Sequence, residues 1–182
     1  KALHTFEDAS RLDPLTPATL EQLIEVYLSL GKTDDALRAV ESLAKRQPDS
    51  SAHDFYRGRV YQLIGNLDLA QMCMQRSLEK APQGSAAHYE LGRIAEQKGD
   101  LNQARKEYLE ALARAEGNPE FLYAAGAVML TLGQVDEAIQ YLKKAEPMAP
   151  RLPKIYYALG QALQRKGNPS EGERYFNLQR AQ

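Results

Sequence analysis

The side chains able to do chemistry in this chain are few and far apart. Three histidines, His4, His53 and His88, and one cysteine, Cys73, are its candidate soft metal ligands. Zinc needs three or four such ligands, and neither an H-E-x-x-H nor a C-x-x-C arrangement occurs. His53 and His88 fall near the same place in consecutive stretches of sequence, so two imidazoles could meet. No third ligand accompanies them, and surface histidines are the plainer reading. Cys73, between Met72 and Met74, reads as a half-buried small apolar residue. A lone cysteine excludes an internal disulfide. Asp34-Asp35 and Asp136-Glu137 stand where helices begin, and there carboxylates favour the positive helix end. No glycine-rich phosphate loop is present. The chain therefore reads as non-enzymatic, with no cofactor and no metal.

What remains is recognition chemistry. Arg59 and Arg93 each lie about one helical turn from an aromatic residue, Phe55 and Tyr89. A guanidinium beside aromatic surface suits a carboxylate with apolar neighbours. The competing reading is internal: Arg93 can pair with Glu90 or Glu96 at helical spacing, worth a few tenths of a kcal/mol. Both readings stand at the level of sequence.

The elements that must position these residues repeat. Gly31, Gly65, Gly99, Gly133 and Gly167 are spaced by 34 residues. Ala36, Ala70, Ala104, Ala138 and Gly172 follow each at a fixed offset, and Ile24, Gly58, Gly92, Gly126 and Gly160 precede each. Pro48, Pro82, Glu116 and Pro150 close the pattern. Within 85–117, Ala87, Leu91, Ile94 and Ala95 recur at helical spacing, Gly99-Asp100 breaks the helix, and Ala104, Tyr108, Leu109, Ala111 and Leu112 form a second stripe. Each unit is thus an antiparallel helix pair. First helices are expected near 17–30, 52–64, 86–98, 119–132 and 153–166, and second helices near 34–46, 68–80, 102–115, 136–147 and 170–181. A helix near 2–12 should pack as an orphan second helix. Gly92 and Ala104 are expected to face each other, with close approach offsetting the cost of about 1 kcal/mol that glycine carries in a helix. Ile24 should widen the first pair, and Gly172 should loosen the last second helix.

The period and the order of large apolar residue, glycine, tyrosine, turn glycine, alanine and proline (in one unit Gly58, Tyr61, Gly65, Ala70 and Pro82) resemble the tetratricopeptide repeat. The resemblance implies an all-α, right-handed α-solenoid of antiparallel helix pairs, a single array over 1–182. Residues 1–14 are the second half of a truncated repeat, and 17–50, 51–84, 85–118, 119–152 and 153–182 are repeats. It also implies that first helices line a concave face that takes an extended peptide or a helix. Columns at three fixed offsets before the turn glycines then give the candidate face: Phe55, Arg59, Gln62, Tyr89, Arg93, Glu96, Tyr123, Tyr157 and Gln161. Chaperone-tail binding is not expected, because Glu21 and Glu25, then Phe55 and Arg59, stand where that subset of the family carries lysine and asparagine.

The expected function is a protein–protein interaction scaffold that binds a partner protein or peptide. The alternative is an accessory substrate-recruiting or self-assembly region of a larger enzyme or complex. The 23 basic and 24 acidic residues are balanced, which argues against nucleic acid and anionic membrane as partners. No stretch approaches the roughly 20 apolar residues of a membrane span. The compartment stays open, with the cytoplasm the default. The chain starts mid-repeat, as a piece of a longer protein would, and weak self-association is expected through an apolar N-terminal face around Leu3 and Phe6.

Overall fold

The computed structural model describes residues 16–180. The expected helix near 2–12, its apolar face at Leu3 and Phe6, and the half-repeat 1–14 lie outside the described residues. The rest is all α. Among the described residues ten helices run α1 Pro17–Ser29, α2 Thr33–Arg46, α3 Ala52–Leu63, α4 Leu67–Lys80, α5 Ser85–Lys98, α6 Leu101–Arg114, α7 Pro119–Thr131, α8 Val135–Ala145, α9 Pro153–Arg165 and α10 Pro169–Arg180, with no strand among them. None is long and apolar enough to cross a membrane.

Local causes are visible at many of the helix ends. Gly31, Gly65, Gly99, Gly133 and Gly167 all have positive φ, between 67° and 89°. Each therefore ends a first helix in a left-handed turn that a side chain would strain. The amide two positions past the cap returns to the helix, as in Lys32 N–H to Tyr27 C=O and Asp100 N–H to Ala95 C=O, both 2.9 Å. This is the double-bonded glycine cap that satisfies the last carbonyls. The next helix is opened by side chains: Asn66 accepts from the Leu69 amide, Asp100 from Gln103, and Asn118 from Glu120 and Phe121. One element ends early. Pro147 has no N–H to give to Lys143, so α8 stops at Ala145 and tightens into a 3-10 turn, Glu146–Met148.

The chain forms two compact units, Lys1–Glu90 and Leu91–Gln182. In the first, α1 packs on α2 and α3 on α4. Leu23, Ile24, Val40, Leu43 and Val60 belong to one buried cluster there. In the second, α7 packs on α8 and α9 on α10. Met129, Ala138, Ile139 and Leu163 share a cluster in that unit.

The helix pairs close through glycine, with a large side chain of the second helix nearest to it. Gly92 faces Tyr108, whose Cδ1 would stand 2.5 Å from a β-carbon at 92, while at the equivalent Gly58 and Gly126 the Ala70 and Ala138 carbonyls, counterparts of Ala104, would lie at 3.2 Å. The same relation holds for Gly58 with Met74, Gly126 with Leu142 and Gly160 with Phe176. In each case a large side chain from the second helix fills the space above glycine. Where Ile24 replaces the glycine, its counterpart is the smaller Val40, and both are fully buried. Gly172 does not loosen α10. A β-carbon there would meet the Gly160 carbonyl at 2.9 Å, so its absence permits close backbone approach.

Candidate partner-binding face

In the first unit the candidate residues sit on α3, and a buried charge fixes where α3 begins. Asp54, in the first helical turn, is fully buried. Its carboxylate lies 2.8 Å from Arg76 Nη2, 2.9 Å from Lys80 Nζ and 3.3 Å from His53 Nε2. The Arg76 and Lys80 contacts are ion pairs without the alignment of hydrogen bonds. The two cations come from one face of α4 at i, i+4 spacing. Lys80 also donates to the Pro48 carbonyl at 3.3 Å, and Ser77 to that of Ser51 at 3.1 Å. The C-terminal half of α4 thus holds both the loop entering α3 and its first turn. Asp54 occupies a position where other repeats carry Leu20, His88, Leu122 and Tyr156. That carboxylate in a column otherwise of leucine, histidine and tyrosine, with Arg76 and Lys80 one turn apart, is the signal by which sequence could have found it.

His53 is a correction. It is buried, at 6% exposure, and is not a surface histidine. Burial lowers its pKa below 6.5; Asp54 opposes the shift, while Lys80 and Arg57 add to it. Cys73 is also more deeply placed than expected, at 5% exposure, and burial pushes its thiol pKa up. No group of three or more metal-ligating side chains occurs among the described residues.

One turn along α3, Arg59 is held from two sides. Its guanidinium bonds Glu25 of α1, one repeat earlier in register, and lies 3.9 Å from Glu90 of α5. It also sits 5.8 Å from the centre of the Phe55 ring. Phe55 meets Tyr56 edge-on, with centroids 5.4 Å apart. The Tyr56 hydroxyl pKa is pushed up to about 12, by burial first and then by Glu25 and Glu21. Arg59 therefore already carries carboxylates of its own chain. Its pair with Glu25 is partly solvated, so exchanging Glu25 for a ligand carboxylate costs only about 0–1 kcal/mol. Phe55 and Tyr89 are half-buried, whereas Gln62, at 8% exposure, presents little surface.

The second unit brings together a different set. Arg93 and Glu96 are exposed on α5, and Glu96 accepts from the Tyr108 hydroxyl. Tyr123 on α7 is half-buried, with Lys154 Nζ 4.5 Å above its ring centre; Lys154 also pairs with Glu120 at 3.1 Å. Burial raises the Tyr123 hydroxyl pKa, with Glu96 adding to the shift. Tyr157 on α9 is half exposed, at 50%. Its ring tilts against Phe176 with centroids 5.8 Å apart, and its hydroxyl accepts from Gln161 at 3.2 Å. Tyr157 is thus an exposed aromatic ring whose orientation is fixed from below and from the side. Lys154, which the column analysis did not select, belongs to this set because its ammonium covers Tyr123.

The tetratricopeptide repeat family profile matches residues 21–71, 64–119 and 97–153. No curated protein matches the sequence. Among solved structures, a thermophilic repeat protein of the same kind from Thermus thermophilus is similar at 25% identity and a TM-score of 0.77, over 90% of this chain and 89% of that one. A crystal structure of MamA is similar at 22% identity and a TM-score of 0.72, over 90% and 89%. YrrB, described as a repeat protein with an unusual peptide-binding site, is similar at 16% identity and a TM-score of 0.69, over 96% and 90%. These likenesses support the helix-pair fold.

Proposed function

The chain belongs to the tetratricopeptide repeat family, and we propose that it is a non-catalytic module that binds a peptide or helix of a partner protein through the exposed face of its first helices. Repeats of this family typically serve as scaffolds, and YrrB, similar in fold, is described as having a peptide-binding site. The observation that carries the reading is Tyr157. A half-exposed aromatic ring locked by Phe176 and Gln161 has already given up its rotamer freedom, so burying it under a ligand costs little entropy. Such rings are the common anchors of protein interfaces.

The charged residues add selectivity. Arg59 with Phe55 in the first unit offers a guanidinium next to apolar surface, and Arg93 in the second adds an exposed positive charge. A ligand with an acidic residue flanked by apolar ones fits both. Capture of partners by the intact protein, followed by mapping of the bound segment, tests the reading. Binding that is lost on Tyr157→Ala and weakened by Arg59→Glu supports it. Binding indifferent to both, in protein that remains folded, overturns it.

A further inference from the structure

The second unit has an open cavity bounded by α6, α7, α8 and the 3-10 turn after α8, and the residues that line it are not those of the proposed first-helix face. Its volume is about 850 Å³, and its walls include Leu109 and Leu112 of α6, Leu122 of α7 and Tyr141 of α8. The cavity has a cause in sequence. α8 is 11 residues long where α2, α4 and α6 are 14, because Pro147 ends it early. In place of a last α-helical turn stands the 3-10 turn Glu146–Met148, whose Pro147 and Met148 line the cavity. Opposite it stands Gly117, at φ 78°, where a β-carbon would meet the Met148 methyl at 3.1 Å. The thioether of Met148, itself 53% exposed, reaches across to Gly117. Methionine is the side chain that repacks most readily around a guest.

The rim carries two opposite charges. Lys144 Nζ lies 5.5 Å from the Tyr141 ring centre and pairs with no carboxylate among the described residues. Exposed Glu116, which also lines the cavity, likewise has no partner among them. An apolar interior with a few fixed polar groups, in this size range, has the character of a ligand site. We propose that this cavity is a second binding site, for a short segment of a partner protein in which an apolar anchor residue is flanked by an acidic residue on the Lys144 side and a basic residue on the Glu116 side. A lipid or other apolar acid would satisfy Lys144 but would leave Glu116 facing hydrocarbon. The site shares α7 with the first-helix face but none of that face's residues, and it does not depend on that face.

The probes are two N-acetylated, C-amidated peptides, Glu-Phe-Leu-Lys and Lys-Phe-Leu-Glu, titrated into isotopically labelled protein. Resonances of Leu109, Leu112, Leu122 and Met148 report the cavity. One order should shift them and bind about fivefold or more tightly than the other, because a reversed peptide sets like charges together. Exchanging the rim charges with Glu116→Lys and Lys144→Glu should invert the preferred order. Ala113→Trp, at an exposed position on the wall, should abolish the shifts. Tyr157→Ala should leave them unchanged, which separates this site from the first-helix face. Absence of shifts at millimolar peptide overturns the proposal. So does equal binding of both orders that the charge exchange leaves untouched, or tighter binding of decanoate that is insensitive to Glu116→Lys.

Discussion

The ring of Tyr108 occupies the space that a side chain at residue 92 would need, and a β-carbon there would fall 2.5 Å from Tyr108 Cδ1. The pair is one rung of a size exchange that runs through the repeats: glycine opposite Met74, Tyr108, Leu142 or Phe176, and Ile24 opposite the smaller Val40. Close packing makes the two residues of a rung answer to each other's size.

That exchange sets the cost of disturbing a rung. Gly92→Leu should overpack against Tyr108, which is 1% exposed and has nowhere to move, and cost at least about 1–3 kcal/mol. Gly92→Ile combined with Tyr108→Val recreates the first rung. The double variant should be more stable than the sum of its single changes by about 1 kcal/mol or more, because the two residues touch. Chemical denaturation of the four proteins checks this; strict additivity would show that the rungs are independent.

The Asp54 cluster makes an asymmetric prediction. Asp54→Leu places an apolar residue where Leu20 and Leu122 stand in other repeats, and frees Arg76 and Lys80, whose side chains are 52% and 31% exposed, to turn to water. Stability should stay within about 1 kcal/mol of the parent, as when a buried ion pair is replaced whole. Removing both cations with Arg76→Met and Lys80→Met strands a buried carboxylate and should cost about 3–5 kcal/mol. Equal costs for the two changes would contradict the buried-charge account.

His53 ties stability to pH. Its pKa is lowered in the fold by burial, so the folded chain resists a proton that the unfolded chain accepts below 6.5. The unfolded state therefore binds more protons as pH falls, and stability must decline with it. The contribution is intact above pH 6.5 and is lost as pH drops below 6.5 toward the lowered folded value. The melting temperature should fall over that window, and His53→Gln should flatten the slope. A parent and variant with parallel profiles would place the titration elsewhere.

Much of the fold was legible because each repeat states its grammar locally. The turn glycines require positive φ, prolines mark helix starts, and every helix lies within a few residues of its expected span. What stayed hidden depends on partners far apart in sequence. Nothing local shows that Tyr108 supplies the side chain nearest to Gly92, since it and Ala104 both lie on the inner stripe of α6. The pairing of Arg59 with Glu25 and Glu90 joins three helices, where sequence reading offers only partners on the same helix. His53 and Asp54 were obscured for a similar reason: polar residues in a first turn ordinarily face water, and only the cations of α4 make their burial tolerable.

The final prediction concerns the first-helix face. Tyr157 is the most exposed fixed ring on it, so Tyr157→Ala should weaken a bound partner segment by about 1–2 kcal/mol if it is a central anchor. The fold should tolerate the change, because half of the ring is already in water and Phe176 retains its contact above Gly160. Arg93→Glu reverses an exposed charge on the same face and should slow association and reduce its salt dependence. Titration of the mapped segment at low and high salt, with circular dichroism to confirm folding, distinguishes these effects. Full affinity in both folded variants would move binding off this face, while the helix-pair architecture would stand.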